Sequence, residues 1–350
     1  MKVVSLDLHA EASQLCVMAE DGKVVMEMPV PTEARRLRDV VSAVSGPKCV
    51  VFEEGPLSSL VTRALEDVAD RIVSCDPAHN ALIARDESSN DERDARHLAK
   101  LYRLEAVREV YVPGEPYLSL RSLLVHRLNT VRLGTRVKNR IKALARGCGI
   151  RTQGKYLYRK KTRGKALEGI DSPQMCWQMQ SLWRLLDEIE GEVAGAMKKI
   201  REMTSHFPAA ENLQTVPGIG PVVCADLLAW IAEPERFHSR NAVNSYAGLG
   251  LGQGITSWQP VGPARASRRG NRHLKRALFL AANSAADTPT ALGDRYRIRL
   301  RQGWDRKKAL RDLARKILHI SMVIMTKGTT YDDSKVNGPN LGDPNLSSHR

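Results

Sequence analysis

Val3-Val4-Ser5-Leu6-Asp7-Leu8 is a short apolar run, rich in β-formers, that carries a single acid near its end. Two more runs of strand length follow, Ser13-Gln14-Leu15-Cys16-Val17-Met18 and Lys23-Val24-Val25-Met26-Glu27-Met28. Asp21-Gly22 between them is a hairpin signal. From 32 to about 44 the apolar spacing turns helical, with Thr32 as N-cap. Cys49-Val50-Val51-Phe52 reads as a buried strand, and Glu53 stands at its C-terminal end. A helix over about 57–69 and a strand over 71–75 come next. Three strands in a meander, then helix, strand, helix and strand, predict a ribonuclease-H-like α/β domain.

Beyond this domain the pattern is mainly helical. Residues about 91–110 read as a helix that opens on an acidic cluster. A long helix is predicted over 117–146, with Leu120, Leu124, Leu128, Val131 and Leu144 as its apolar stripe. Arg132, Arg136 and Arg140 sit four apart on another face, with Lys138 among them. Residues 147–169 form a basic, glycine-bearing break that includes Arg159, Lys160 and Lys161. A second long helix follows over 173–204, so the two helices suggest an antiparallel or coiled-coil arm. Further helices are expected at 222–231, 239–247, 270–284 and 307–325. The resulting division is a catalytic domain (1–110), a basic arm (111–205), a mainly helical C-terminal domain (206–327) and a disordered Asn/Asp/Gly/Ser-rich tail (328–350).

Composition narrows the function. The 350 residues are 42% hydrophobic and 27% charged, the balance of a globular protein. No stretch approaches the ~20 apolar residues of a membrane span. The first residues lack the apolar run of a signal peptide. Six scattered cysteines, with no Cys-x-x-Cys pair, argue against a zinc ribbon or a disulfide framework and suit a reducing cytoplasm. Net charge is +15, and it is segregated. Residues 1–100 hold 12 basic and 18 acidic side chains, whereas 121–165 hold 15 basic and no acidic ones. Such a field points to a nucleic-acid partner.

Four acids fall where the predicted domain can gather them. Asp7 and Glu53 end strands, and Asp91 and Asp94, three apart, share a helix face. An oxygen-only set of this kind suits one or two Mg²⁺ ions acting on a phosphodiester. The same Asp91-Glu92-Arg93-Asp94 also fits an ordinary helix N-terminal turn favoured by the macrodipole. Glu54 competes with Glu53 for the third position.

Pro217-Gly218-Ile219-Gly220-Pro221 before a helix has the form of a helix–hairpin–helix turn, in which Gly218 and Gly220 let backbone amides approach a phosphate. It also fits a plain helix connection. Arg268, Arg269 and Arg272, and the basic stretches 295–301 and 306–315, are candidates for backbone contact, which carries no sequence information. Residues 246–258 read as a glycine-rich loop between helices that holds Ser257, with Thr256 beside it, as a candidate nucleophile.

Taken in order, these pieces resemble the DEDD transposases of bacterial insertion sequences, the group related to the Piv invertase. The match is carried by Ser5-Leu6-Asp7-Leu8-His9, Val51-Phe52-Glu53-Glu54-Gly55-Pro56 and Asp91-Glu92-Arg93-Asp94-Ala95-Arg96-His97-Leu98-Ala99. Val216-Pro217-Gly218-Ile219-Gly220-Pro221, Tyr246-Ala247-Gly248-Leu249 and the run from Arg268 to Leu278 extend it to about residue 325. The resemblance implies a RuvC-like domain in which Asp7, Glu53, Asp91 and Asp94 bind Mg²⁺. It further implies Ser257 as the nucleophile of a covalent serine–DNA intermediate, a structured bridge RNA that pairs with donor and target DNA, and a homo-oligomer. A RuvC-like nuclease or junction resolvase using water, and a non-catalytic nucleic-acid-binding protein, are the alternatives.

Overall fold

In the computed structural model, β1 (Lys2–Asp7), β2 (Ala12–Met18) and β3 (Val24–Pro31) form the expected antiparallel meander. α1 (Ala34–Ala43) leads to β4 (Lys48–Glu53), which lies parallel to β1, and α2 (Ser58–Leu65) leads to β5 (Arg71–Cys75), parallel to β4. α3 (Asp91–Arg103) and a two-residue β6 (Glu109–Val110), antiparallel to β5, complete a sheet of order β3-β2-β1-β4-β5-β6. The described residues are 1–77, 79–80, 91–150, 154, 156–256, 259–266 and 270–336. The chain divides into two compact units, Met1–Leu118 and Ser119–Arg350. The arm and the C-terminal region read separately from the sequence thus fall largely in one unit.

Both faces of the first unit's sheet are covered, which is why its central strands read as continuous apolar runs. Val4, Leu6, Leu15, Val17, Val50 and Phe52 pack with Leu37 and Val41 of α1 and Val61 and Leu65 of α2. Val3, Met18, Cys49, Val51, Val73 and Cys75 form the other face, with Leu98 and Ala99 of α3. Ser5 interrupts the apolar run on that second face. Its hydroxyl donates to the Ala95 carbonyl at 2.6 Å, tying β1 to α3.

The helix expected over 91–110 is shorter, because α3 stops at Arg103 and the chain turns into β6. Glu105 takes a left-handed conformation (φ 54°), with Ala106 N–H on the Leu101 carbonyl and Glu105 N–H on that of Tyr102. This is a Schellman stop built without the glycine that usually announces one.

In the second unit, α4 (Tyr117–Gly147) and α6 (Pro173–Thr204) are the two long helices. The expected break between them contains a further helix, α5 (Lys160–Leu167). Val137, Ile141 and Ala145 of α4 share a core with Leu157, Ala166, Ile170, Met179, Trp183 and Leu186. A larger core joins the start of α4 to α7 (Ala209–Gln214), α8 (Pro221–Ile231), α10 (Arg272–Ala286), α11 (Ala291–Arg301) and α12 (Arg306–Lys327). α7 and α11 were not expected from the sequence. α9 (Arg240–Tyr246) precedes an antiparallel hairpin, β7 (Leu251–Thr256) and β8 (Gln259–Ala266). The glycine-rich loop is therefore two strands. Gly252, Gly254, Pro260 and Pro263 within them suppress any strand signature in the sequence.

The tail begins later than expected. Residues 328–336 are held: Asn212 Nδ2 donates to the Gly328 carbonyl at 2.9 Å, Tyr331 N–H donates to Thr215 Oγ1 at 2.9 Å, and Val336 is buried. Asp333 accepts from the Ala291 N–H at the start of α11. Residues 337–350 lie outside the described residues.

α8 is apolar on all sides except for Asp226, whose side chain is 1% exposed. Burial pushes its carboxyl up to about 6, against the attraction of Arg276, a Trp230 N–H bond and Arg127. As pH rises from about 4 to 6 the unfolded chain ionises here before the folded one, so stability falls through that window. The full loss, about 2–3 kcal/mol, persists above it. Asp226→Asn lacks this term. Thermal melts at pH 4 and pH 7 are expected to show the parent losing stability relative to Asp226→Asn by that amount, and parallel pH profiles would refute it.

Candidate active site and nucleic-acid interface

The sheet sets two of the acids side by side. Leu6 pairs with Phe52 across β1 and β4, so Asp7 and Glu53 occupy the next rung at the same end of two neighbouring parallel strands. Side chains alternate along a strand, so both acids belong to the face of Ser5 and Val51, the face that α3 covers. Asp91 opens α3 one turn ahead of Ala95, whose carbonyl takes the Ser5 bond, and Asp94 stands exposed in the first turn. The side chain of Asp91 lies outside the described residues.

Asp7 is half-buried and hydrogen-bonds His9 Nε2 at 3.0 Å. Glu53 Oε1 accepts from Asn80 Nδ2 at 2.9 Å. Asn80 is itself buried, and its Oδ1 has no partner among the described residues. The sequence reading missed Asn80, since a lone asparagine after a strand carries no motif. Glu54 follows the strand end, exposed, with its N–H on the Cys75 carbonyl. Among the described residues no group of three or more His, Cys, Asp or Glu stands together as a formed metal cage. The donors present are carboxylate oxygens, the chemistry a hard divalent ion takes.

Ser257 lies outside the described residues, as do Arg268 and Arg269. Thr256 ends β7 and pairs with Gln259.

The predicted basic contacts separate into two groups. Arg132, Arg136 and Arg140 are exposed along α4, and Arg159, Lys161 and Arg272 are exposed as well. Lys138 instead pairs with Glu190 at 2.8 Å, and Lys160 faces Asp187 at 3.6 Å beside the Arg163–Asp187 pair. In the 295–301 stretch, Arg295 and Arg299 are engaged by Asp312 at 2.8 and 3.3 Å, so these two arginines bind the fold. In the 306–315 stretch, Arg315 donates to the Leu249 carbonyl.

The glycine hairpin also divides. Gly218 has φ +88° and packs on α10, where a Cβ would fall 2.2 Å from the Ala281 carbonyl oxygen. Its need for glycine is therefore one of packing. Gly220 is exposed as the N-cap of α8, with open space where a Cβ would lie.

Comparison with known proteins bears on the same residues. A transposase family model of the DEDD IS110 type matches residues 4–149, the stretch that holds all four acids. A second model, the transposase IS116/IS110/IS902 family, matches residues 210–297. A transposase for insertion sequence element IS1111A of Coxiella burnetii is 23% identical over 95% of this chain and 91% of its own length. An uncharacterized protein of insertion element IS110 of Streptomyces coelicolor is 29% identical, over 41% of this chain and 35% of its own. An uncharacterized protein of insertion element IS116 of Streptomyces clavuligerus is 23% identical over 66% of this chain and 69% of its own. Two transposase family models thus match in order across both units, and with Asp7 and Glu53 at the same end of neighbouring strands the chain is similar to the DEDD transposases of insertion sequences.

Proposed function

We propose that this protein cuts and rejoins the DNA of its own insertion sequence through a serine–DNA intermediate, guided by a structured RNA transcribed from the element. The observation that carries the catalytic part is the shared rung of Asp7 and Glu53 on the α3 side of the sheet. In this reading Asp7, Glu53, Asp91 and Asp94 hold Mg²⁺. The ion, when bound, neutralises charge on the non-bridging oxygens of the scissile phosphate and favours the ionised hydroxyl. Asn80 fixes the Glu53 carboxylate, leaving its second oxygen for the site.

The Ser257 oxygen attacks phosphorus and its proton is released. The 3′-oxygen leaves and takes up a proton, so a phosphoserine ester at the 5′ end replaces one phosphodiester. Reversal with a new 3′-hydroxyl reseals the strand with no external energy source. Exposed Arg132, Arg136, Arg140, Arg159, Lys161 and Arg272, together with Arg268 and Arg269, contact RNA and DNA backbone. Base pairing by the guide reads sequence, as in other guided systems. The acids of one subunit and the serine of another complete one site, which requires a homo-oligomer working in the cytoplasm.

A second reading is a RuvC-like nuclease or resolvase that uses water. It is favoured by the first family match, which spans the four acids whose metal chemistry can activate water. One experiment separates the two. Protein, element-end DNA, guide RNA and Mg²⁺ are incubated, denatured and resolved with and without protease. A protease-sensitive DNA adduct that disappears in Ser257→Ala is the expected result. Cleavage with no adduct would establish the water reading, and an adduct that survives Ser257→Ala would reject this nucleophile.

A further inference from the structure

Around the buried Asp226 of α8, the second unit gathers more positive charge than the fold can neutralise. Arg276 of α10 reaches Asp226 Oδ2 through Nη2 at 3.3 Å, and Trp230 Nε1 donates to Oδ1 at 3.3 Å. Arg127 of α4 faces the same carboxylate. Its own ionisation is pushed down, first by burial and then by Arg276. Among the described residues Asp226 is the acid that acts on the ionisation of Arg127, and the charged groups acting on the neighbouring His273 are all arginines. Arg121 of α4 stacks over the Trp230 ring at 4.7 Å, and His273 lies parallel to that ring at 4.5 Å. Burial and the fields of Arg272, Arg276, Arg132 and Arg121 hold the His273 imidazole towards its neutral form.

Two guanidinium N–H groups in this cluster, Nε of Arg127 and Nε of Arg276, are buried without an acceptor among the described residues. A buried cationic donor left unmatched costs free energy, whereas the same two side chains are only half-buried, so the outer part of each guanidinium is within reach of an acceptor from solution. One carboxylate shared between guanidinium groups leaves the cluster with net positive charge. A phosphate offers both the missing charge and paired oxygen acceptors that an arginine fork can engage together.

We infer that Arg127 and Arg276, set by Asp226 and flanked by the Trp230–His273 stack, form a phosphodiester-binding site in the C-terminal unit. The inference rests on the nucleic-acid reading above and deepens it by assigning a particular site between α4, α8 and α10. Asp226 acts here as an internal counter-ion: it orients Arg276 while remaining too buried to compete with a ligand at the surface. Polymer backbone is favoured over a free anion because exposed Arg132 and Arg272 lie within electrostatic reach of the same cluster and extend it along a chain of phosphates.

The test uses the full-length protein and three probes: an RNA hairpin, a DNA duplex and inorganic phosphate. Binding is measured at several salt concentrations. Arg127→Gln is the primary variant, because Arg127 Nε has no acceptor among the described residues. The pair Asp226→Asn with Arg276→Gln removes both buried charges together, so no acid is orphaned, and exposed Lys198→Gln on α6 is the control. Arg127→Gln is expected to weaken binding of at least one polymer about tenfold and to lower the salt slope by about one. The paired variant is expected to do the same while melting no earlier than the parent, and Lys198→Gln to change little. Polymer binding with parental affinity and slope in both variants would overturn the site. Phosphate binding that is lost in the variants while polymer binding is kept would overturn it as a backbone site. A parent that binds neither polymer would overturn the nucleic-acid reading, and this inference with it.

Discussion

Asp7→Asn and Glu53→Gln are each expected to reduce DNA strand cleavage by roughly 10³-fold while leaving the fold intact. The size follows from what the carboxylates do. A divalent ion supplies several kcal/mol of charge stabilisation at a phosphoryl transition state, and about 4 kcal/mol corresponds to three orders of magnitude in rate. An amide keeps the shape but loses the charge that holds the ion. The structural cost is small, since Asp7 is partly exposed with a hydrogen bond to His9, and Glu53 is exposed with a bond from Asn80. Changes at such positions stay near 0.5 kcal/mol. Cleavage of labelled element-end DNA, measured beside melting temperature, is the check. Glu54→Gln is the discriminating control. If Glu53 is the ligand, Glu54→Gln retains cleavage within about a factor of two. A variant pair with the opposite outcome would move the ligand to Glu54 and place the site on the other face of β4.

What could be read from the sequence tracks how local the signal was. The meander and the strand–helix alternation were legible because central strands covered on both faces must be apolar throughout. Asp7 and Glu53 were legible because they end those runs. The two long helices were legible from sustained periodicity, and Ser172 and Pro173 mark the start of α6 with a side-chain cap and a proline at N1. Features whose cause is distant in the chain stayed hidden. The stop after Arg103 depends on a glutamate in a left-handed conformation. The β7–β8 hairpin is made by pairing that its glycines and prolines disguise. The order of residues 328–336 comes from Thr215, Asn212 and Ala291, more than forty positions away. The basic stretch 121–165 was visible as charge, yet only the fold shows that Lys138 and Lys160 face Glu190 and Asp187. Asp226, a single acid in an apolar helix, carried no motif at all.

Gly218→Ala is expected to destabilise the second unit by about 2–6 kcal/mol. Two costs combine. At φ +88° an alanine is strained by roughly 1–3 kcal/mol. Its Cβ would also sit 2.2 Å from the Ala281 carbonyl oxygen and 3.0 Å from the Ala285 amide nitrogen, both backbone atoms inside α10. A helix in the core cannot yield as a flexible side chain can, so α8 and α10 must separate, and overpacking of this kind adds about 1–3 kcal/mol. For a unit of this size each kcal/mol is about 2–4 °C in melting temperature, giving a fall on the order of 10 °C. Gly220→Ala is the internal comparison: with open space at its Cβ and φ −90°, it should cost under about 1 kcal/mol as a weakened N-cap. The contrast decides what the Pro-Gly-Ile-Gly-Pro turn is for. A Gly218→Ala variant that melts with the parent and loses only nucleic-acid affinity would make Gly218 a phosphate cradle. A variant that melts early, beside a Gly220→Ala that does not, assigns Gly218 to the approach of two helices and leaves Gly220 as the position open to a ligand.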